Sequence, residues 1–192
     1  MDNGQRLSFH PGQFCVLSST TPEIIERSIE EFEYHADMAR WMGYGKSWHD
    51  GCKINVHISG KRGPEGLLKE FPKLSTEARN LITIENDEMG HGLDASLELE
   101  KDLALVLDIH HHWIRDEEYI DANDDRVKRV IDSWRGQRPT MHYSYSRDEH
   151  LAPANLGDKT HTEMHDIKML LERGCKKQKL RAHSDLLPNK KV

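Results

Sequence analysis

Several short apolar runs in this sequence of 192 residues end in a side chain that can bind a metal or carry a proton. The side chains at these ends are His10, His57, Glu85, Asp108, His111 and His142. Imidazole and carboxylate ligands without cysteine suit Zn²⁺, Mn²⁺ or Fe²⁺, whereas Mg²⁺ and Ca²⁺ favour ligand sets made of oxygen alone. Six ligands are too many for one ion, so we predict two or three ions, with Glu85 as the bridging carboxylate.

Clustered divalent ions of this kind catalyse the hydrolysis of phosphoesters. One ion generates hydroxide near neutral pH, while the others stabilise the transition state and the leaving oxygen. Within the predicted cluster we assign catalytic as well as metal-binding roles to Glu85, His111 and His142.

Other histidines are excluded from the predicted site by their positions. Those expected on a helix, in loops or at helix ends, and therefore at the surface, are His35, His49, His91, His150 and His161. His110 and His112 flank His111 and alternate with it in orientation, so at most one of them shares its side and supports it.

The predicted ligands can meet only if a parallel sheet positions them. Strands and helices alternate along the sequence, which indicates an α/β fold, and the strands are apolar nearly throughout. The five predicted strands are RLSF, KINVHISG, LITIEND, LALVLDI and TMHYSYS. Because the carboxyl ends of parallel strands lie at one face, we expect the six side chains to converge on one pocket there.

Helices are predicted between these strands. The first begins with Thr21 as its cap and Pro22 in its first turn, and it ends at Gly43. The second is interrupted near Pro72, because proline lacks the N–H that a helix interior needs. The remaining predicted helices are DASLELEKD, DDRVKRVIDSWRG and THTEMHDIKMLLERGCKKQK.

Composition and charge narrow the class of protein. No apolar stretch reaches the ~18 residues that a membrane span needs, and no signal peptide is recognisable, so we expect a cytoplasmic protein. Its three cysteines lack C-x-x-C spacing and are expected as reduced thiols, with Cys15 and Cys52 in or near the core.

The net charge of −6 argues weakly against a nucleic-acid partner, but a basic segment begins at Arg173. That segment is either a solvated helix face or a surface for phosphates.

Six motifs resemble the successive strand-end motifs of the UV-damage endonucleases, a family similar to endonuclease IV. They are, in order, RLSFHPGQF, NVHISGKRG, ITIENDE, VLDIHHHW, HYSYSR and RAHSDLL. The resemblance extends from residue 6 to about residue 187 and implies a (β/α)8 TIM barrel. It also implies a repair endonuclease that nicks damaged double-stranded DNA 5′ to UV photoproducts and other lesions, without ATP and with divalent metals. Mn²⁺ is the expected ion, with Zn²⁺ or Mg²⁺ as alternatives.

The resemblance also assigns roles to individual positions. The six predicted ligands fall on metal ligands of the family, and His183 falls on a further one. Gln13 and Phe14 fall where the family inserts a polar and an aromatic residue into the duplex at the lesion. The alternative is that Phe14 packs in the core. The basic residues that we expect to bind DNA are Lys177, Lys179 and Arg181.

This sequence departs from the family pattern in three ways. Only five of the eight barrel strands are found, so we expect residues 1–192 to form one domain, a partial barrel lacking two initial β/α units and the last one. The family's final metal-bridging glutamate is not found after RAHSD, and Thr140 stands where the family often has a carboxylated lysine. Exposed sheet edges predict either poor stability or completion of the barrel by a second chain.

Two other functions are open at this point. A sugar isomerase of the same barrel superfamily also brings histidine and carboxylates to its strand ends, but it has no use for an inserted HPGQF loop. A catalytically impaired remnant would bind damaged DNA without cutting it, because it lacks the last carboxylate. Nicking of UV-irradiated plasmid distinguishes the endonuclease from the remnant.

Overall fold

Five parallel strands alternate with helices along the chain. The computed structural model describes residues 6–118 and 120–143. The strands are β1 (Leu7–Phe9), β2 (Cys52–His57), β3 (Ile82–Glu85), β4 (Ala104–Asp108) and β5 (Met141–His142). They form one sheet in the order β1-β2-β3-β4-β5, with every neighbouring pair parallel. Because the order in the sheet follows the order in the chain, this is the arrangement of a (β/α)8 barrel, and the predicted partial barrel of five strands is confirmed.

Six α-helices connect these strands in the described residues. They are α1 (Pro22–Trp41), α2 (Gly63–Glu70), α3 (Thr76–Leu81), α4 (Leu93–Leu97), α5 (Ile109–Asp116) and α6 (Asp125–Ser133). No helix within residues 6–118 and 120–143 is both long enough and apolar enough to cross a bilayer.

Helix α1 begins where the sequence predicts. Pro22 lies at its start, and Phe32, Ala36 and Ala39 form a buried face along it. Thr21 is the N-cap residue, as predicted, and has the extended backbone of a cap, although its side chain makes no capping hydrogen bond. The Ser19 hydroxyl instead accepts a hydrogen bond from the Thr21 N–H at 3.0 Å.

The predicted interruption near Pro72 is confirmed. Pro72 lies in a 3-10 turn, Phe71–Lys73, between α2 and α3. The chain resumes as α3 with Ser75 as its cap, whose hydroxyl accepts a hydrogen bond from the Ala78 N–H at 3.1 Å.

Helix α5, which contains the three consecutive histidines, is absent from the predicted elements. Asp108 ends β4 and also caps α5, because its carboxylate accepts a hydrogen bond from the His111 N–H at 2.9 Å. A capping aspartate satisfies one of the free N–H groups of a first turn and so favours a helix directly after the strand. His111 therefore lies in the first turn of α5, and the alternating orientation predicted for His110 and His112 is wrong.

One face of β2 is apolar, and the other carries polar side chains, among them the predicted ligand His57. Ile54 and Val56 belong to the main apolar core between sheet and helices. Side chains alternate along a strand, so Lys53, Asn55 and His57 share the opposite, inner face of the barrel. Lys53 donates hydrogen bonds to backbone carbonyls of residues 48 and 80, and burial lowers its pKa to about 8.

A second, smaller core closes the amino-terminal end of the strands, opposite the predicted ligands. The Trp134 side chain packs there against Ala104 and Val106, with Trp48 beside it. The indole N–H of Trp134 donates to the backbone carbonyl of Leu105 at 2.6 Å. Lys53 lies at this end too, with its Nζ 4.2 Å from the centre of the Trp48 ring, whereas the predicted ligands lie at the other end.

The two cysteines of the described residues are buried free thiols, as the sequence predicts. Burial raises the pKa of Cys15 to about 12 and that of Cys52 to about 11. Both thiols are therefore protonated at neutral pH and pack as small apolar groups.

Part of the predicted site lies outside the described residues. This part consists of His183, Lys177, Lys179 and Arg181. The last predicted helix, His150 and His161 lie there too. The elements above belong to one compact unit, Met1–His142, so the single domain expected for residues 1–192 stays a prediction.

Candidate metal centre

A single buried carboxylate, that of Glu85, lies at the centre of the predicted ligands. Its side chain is 1% exposed at the end of β3. The four imidazoles that approach it belong to His10, His57, His111 and His142. The shortest of these contacts, 2.9 Å, joins His142 Nδ1 to Glu85 Oε1, and the others are 3.5 to 3.7 Å.

Strand register explains why these side chains meet. His57 at the end of β2 lies opposite Glu85 at the end of β3, and Asp108 on β4 lies opposite His142 on β5. His10 directly follows β1. The parallel sheet thus brings the last inward-facing residue of each strand to one rim, as the sequence predicts.

The imidazoles approach Glu85 through different nitrogens, His10 and His57 through Nε2 but His111 and His142 through Nδ1. His10, His57 and His111 each place Nδ1 within 3.1 Å of an oxygen other than those of Glu85, and Nε2 of His111 lies 3.2 Å from Glu88 Oε2. The oxygens that these Nδ1 atoms meet are the carbonyls of Pro11 and Asn86 and the carboxylate of Asp87. Such outer partners fix the ring orientation and leave Nε2 as the free ligand atom, which is the usual arrangement around bound metals.

Three groups of side chains within the described residues could each hold an ion, since their ligand atoms lie within 4.8 Å of one another. These groups are His10–His57–Glu85, Glu85–Asp108–His142 and His57–Glu88–His111. Glu85 is common to the first two, as a bridging carboxylate must be. His57 is common to the first and third, and its Nε2 can bind only one ion because Nδ1 is bonded to Asp87.

The chemistry of this donor set fits a divalent transition metal. The three groups combine imidazole nitrogens with carboxylate oxygens and contain no thiolate. Mn²⁺ and Zn²⁺ accept such mixed sets, whereas Ca²⁺ and Mg²⁺ prefer oxygen alone. The geometry therefore agrees with the ligand chemistry expected from the sequence.

Glu85 and the imidazoles stabilise one another's charged forms. Burial disfavours an ionised Glu85, but hydrogen bonds with His10 and His142 outweigh it and hold the pKa of Glu85 far below its usual range. The same contact raises the pKa of His10, and hydrogen bonds with Asp108 and Glu85 raise that of His142 to about 10. Without metal, His142 is therefore protonated at neutral pH, and an ion that binds there must displace this proton.

Sequence reasoning missed four polar residues that support or extend the centre. They are Asn55, Asn86, Asp87 and Glu88, all buried. Asn55 donates a hydrogen bond to Glu85, and Glu88 Oε2 lies 3.2 Å from His111 Nε2. Two signals could have found them: Asn55 precedes His57 by the two-residue period of a strand, and the run "ENDE" places three further polar residues directly after Glu85, the last residue of β3.

The predicted DNA-inserting residues lie in the loop between β1 and α1. Gln13 is exposed, and 81% of the Phe14 side chain is accessible to solvent. The alternative interpretation, in which Phe14 packs in the core, is therefore wrong. The inserting role itself stays a prediction.

The histidines outside the predicted site have varied environments. His49 is exposed as expected, but His35 and His91 are half-buried, and His91 Nε2 lies 2.7 Å from the carbonyl oxygen of Gly60. His112 is buried beside Asp116, with 3.0 Å between its Nδ1 and Oδ2 of the carboxylate. A surface position was thus the wrong expectation for His91, because a loop residue can fold back onto a neighbouring loop.

Comparison with known proteins identifies the relatives of this chain. The family model described as "UV-endonuclease UvdE" matches residues 1–187. A protein of Acanthamoeba polyphaga mimivirus whose name includes "UV-damage endonuclease" is 34% identical over 151 residues, covering 74% of this chain and 45% of that protein. The UV-damage endonuclease of Neurospora crassa is 29% identical over 166 residues, covering 78% and 25% of the two chains.

A solved structure adds agreement in three dimensions. The crystal structure of SacUVDE matches with a TM-score of 0.59 and 26% identity, covering 80% of this chain and 57% of that one. The chain spans less than half the length of the two named relatives. The motifs, the parallel half-barrel and these matches agree, and the chain belongs to the UV-endonuclease UvdE family.

Proposed function

We propose that this chain functions as a metal-dependent DNA repair endonuclease that nicks damaged duplex DNA 5′ to UV photoproducts and other lesions. The observation that carries the proposal is the convergence of four imidazoles on the buried carboxylate of Glu85 at one rim of the sheet. A buried carboxylate surrounded by four imidazoles is a set of donors suited to cations, and membership of the family makes DNA the expected substrate.

The residues of the centre would divide the work of holding two ions. His10 and His57 would bind one ion on one side of Glu85, while Asp108 and His142 would bind a second ion on the other. Divalent ions held in this way supply an activated hydroxide and stabilise charge on the phosphate. Hydrogen bonds with His10 and His142 hold the pKa of Glu85 below its usual range and so keep its carboxylate ionised and available to cations.

The exposed loop between β1 and α1 would recognise the lesion. Gln13 and Phe14 follow the ligand His10 by three and four residues, so they lie at the same rim as the centre. An aromatic side chain can fill the space of unstacked nucleotides, and unstacking is least costly where the duplex is already damaged. This exposed aromatic residue favours a duplex substrate over the free sugar of an isomerase.

We further propose Mn²⁺ as the working ion, with Zn²⁺ or Mg²⁺ as the alternatives to be compared, and the cytoplasm as the place where the chain meets DNA. The mixed nitrogen and oxygen donors support a transition metal over Mg²⁺. Activity restored to the stripped protein by each ion in turn ranks these three metals.

Nicking of UV-irradiated supercoiled plasmid tests the proposed activity. We expect relaxed circles with Mn²⁺, none after the protein is stripped with a chelator, and few from unirradiated plasmid. The variant Glu85→Gln serves as the inactive control. If the chain binds irradiated DNA more tightly than unirradiated DNA but leaves it supercoiled with every ion, it is the binding remnant and the endonuclease proposal fails.

We also propose that a second chain completes the barrel. Within the described residues, β1 pairs only with β2 and β5 only with β4, so two strand edges have free backbone groups. Free edges readily pair with another strand. Sedimentation velocity of the purified protein should give a mass above the 22.3 kDa of one chain. A monomer with full nicking activity would refute this part of the proposal.

A further inference from the structure

We propose that Asp87 is the positioning residue that fixes the proton of His57 on Nδ1 and so reserves Nε2 for metal. Asp87 Oδ2 lies 2.9 Å from His57 Nδ1, and both side chains are largely buried. An ionised carboxylate can only accept hydrogen bonds, so this contact requires a proton on Nδ1. The consequence for metal binding rests on the function proposed above, whereas the tautomer does not.

The carboxylate of Asp87 is held so that it cannot turn away. Its other oxygen, Oδ1, accepts hydrogen bonds from the backbone N–H groups of Met89, at 2.7 Å, and of Gly90. The backbone N–H of Asp87 itself donates to the carbonyl of His91 at 2.9 Å. Both carboxylate oxygens and the backbone N–H of Asp87 therefore have partners, and the direction of Oδ2 toward His57 is determined by the turn that follows β3.

The turn after β3 is also hydrogen-bonded to the loop that follows His57. The N–H of His91 donates to the carbonyl of Ile58 at 3.0 Å, and His91 Nε2 lies 2.7 Å from the carbonyl oxygen of Gly60. A Cβ atom on Gly90 would come within 2.7 Å of the Ser59 Cα, so only glycine permits this close approach. Histidine and acceptor thus lie on two strand ends that are joined as one rigid unit.

The position of the His57 proton decides whether the ring can bind a cation. His57 Nε2 lies 3.7 Å from Glu85 Oε2. His57 belongs to two candidate ion groups, His10–His57–Glu85 and His57–Glu88–His111. With the proton on Nδ1, the Nε2 lone pair faces those groups; with the proton on Nε2, an N–H would face them and repel a cation. A partner that orients a ligand in this way typically changes metal affinity by about 10- to 100-fold.

Asparagine at position 87 would reverse the tautomer without changing the size of the side chain. The two backbone N–H donors keep the amide oxygen of the Asp87→Asn variant in the place of Oδ1. The amide N–H₂ group must then face His57 Nδ1 and donate to it. His57 would carry its proton on Nε2, where it obstructs metal.

The tautomer is measured directly on the metal-free 192-residue chain. Imidazole nitrogens that carry a proton and those that do not differ in ¹⁵N chemical shift, and the signals of His57 are identified by their loss in His57→Gln. The comparison is made on the neutral ring, reached by raising the pH if both nitrogens carry a proton. There we expect the proton on Nδ1 in the natural sequence and on Nε2 in Asp87→Asn. A neutral ring with its proton on Nε2 in the natural sequence overturns the proposal, even if the variant fails to fold.

Metal affinity provides the second measurement, with Mn²⁺ as the probe. Titration calorimetry should show about a 10- to 100-fold weaker first Mn²⁺ site in Asp87→Asn. The matched control is Asp94→Asn, which removes the same charge from an exposed position on α4 and should leave Mn²⁺ affinity unchanged. Equal affinity in Asp87→Asn with a reversed tautomer would overturn the functional consequence. Neither measurement uses DNA, so a chain without nuclease activity would still test Asp87.

Discussion

At the residue scale, the defining feature of this protein is the balance of charge around Glu85. A carboxylate that is almost completely buried is costly unless hydrogen bonds and opposite charges compensate for its lost hydration. Four imidazoles and the amide of Asn55 provide that compensation here. The same arrangement leaves the centre able to exchange protons for divalent cations.

Replacing Glu85 by glutamine should remove metal and activity together. The substitution removes the bridging negative charge while preserving shape, so neither ion group that contains Glu85 keeps its carboxylate. We expect atomic absorption to show the loss of the ions held by these two groups and plasmid nicking to disappear. Glu98→Gln, at the exposed residue that ends α4, is the control and should behave like the natural sequence. Retained Mn²⁺ and turnover in Glu85→Gln would contradict the assignment.

The stability of the metal-free protein should fall on the alkaline side. Contacts with Asp108 and Glu85 raise the pKa of His142 from 6.5 to about 10. A raised pKa in the folded state means that the stabilisation is complete below pH 6.5 and is lost as pH rises toward 10. Urea unfolding between pH 6 and pH 10 measures this slope, which should be shallower in His142→Gln.

Bound metal should reverse the sign of that dependence. The ion competes with the proton on His142, so Mn²⁺ affinity and the stability it confers should increase with pH from 6 to 8. Equal slopes with and without Mn²⁺ would show that His142 does not bind the ion.

Removing the side chains of the exposed loop should separate lesion recognition from metal binding. The double variant Gln13→Ala with Phe14→Ala is expected to bind irradiated duplex more weakly while its Mn²⁺ content stays the same. Trp41, 85% exposed at the end of α1, provides the control, because its replacement by alanine removes an exposed aromatic ring away from the rim. Fluorescence anisotropy measures the binding, and unchanged affinity of the double variant for damaged DNA would refute the inserting role.

At the element scale, the amide of Asn86 connects the ends of two strands. Its Nδ2 donates to the carbonyl of Asp108 at 2.9 Å, and its Oδ1 accepts from the Asp108 N–H at 2.8 Å. The backbone carbonyl of Asn86 also accepts from His111 Nδ1. The turn after β3 therefore positions the start of α5, and with it two of the predicted ligands.

Asn86→Ala should consequently destabilise the protein by about 1–3 kcal/mol, the cost of leaving buried backbone groups without partners. It should also weaken Mn²⁺ binding, because Asp108 and His111 lose their support. Asn80→Ala is the matched control: it removes one hydrogen bond, to the Gly45 carbonyl, at the opposite end of the strands. Urea unfolding and calorimetry compare the two variants. A loss of Mn²⁺ affinity in Asn80→Ala as large as that in Asn86→Ala would contradict this prediction.

At the scale of the whole molecule, the two ends of the described half-barrel carry different side chains. Trp48 and Trp134 close the amino-terminal end of the strands, and the ligands gather at the carboxyl end. The net charge of −6 means that an anionic partner must be attracted locally rather than by the protein as a whole. Bound cations and the basic segment after residue 172 are the candidates for this local attraction.

Binding to damaged DNA should therefore weaken steeply with salt. Each phosphate contact releases condensed counterions, so log affinity falls with log salt by about 0.9 for every contact on duplex DNA. Anisotropy titrations between 50 and 200 mM NaCl, roughly the range over which such losses are large, measure this slope. Replacing Lys177, Lys179 and Arg181 by alanine should reduce the slope if these residues contact phosphate. A slope of zero for the natural sequence would exclude phosphate contacts as the source of affinity.

The sequence by itself determined the strands, their parallel order and the chemical type of the ligands. Apolar runs that end in His57, Glu85, Asp108 and His142 predict both a buried strand and the polar side chain at its carboxyl end. Both can be predicted because they depend only on a short segment of the sequence. The interruption at Pro72 is equally local, since it depends on one missing N–H.

Only the tertiary structure decided which polar residues support these ligands. The bond between Asp87 and His57 and the bridge from Asn86 to Asp108 depend on how the loops after β2, β3 and β4 approach one another. These contacts join residues about 20 to 30 positions apart in the chain, and they form only once the sheet brings neighbouring strand ends together. The tautomer of His57 is therefore a property of the fold rather than of its neighbours in the sequence.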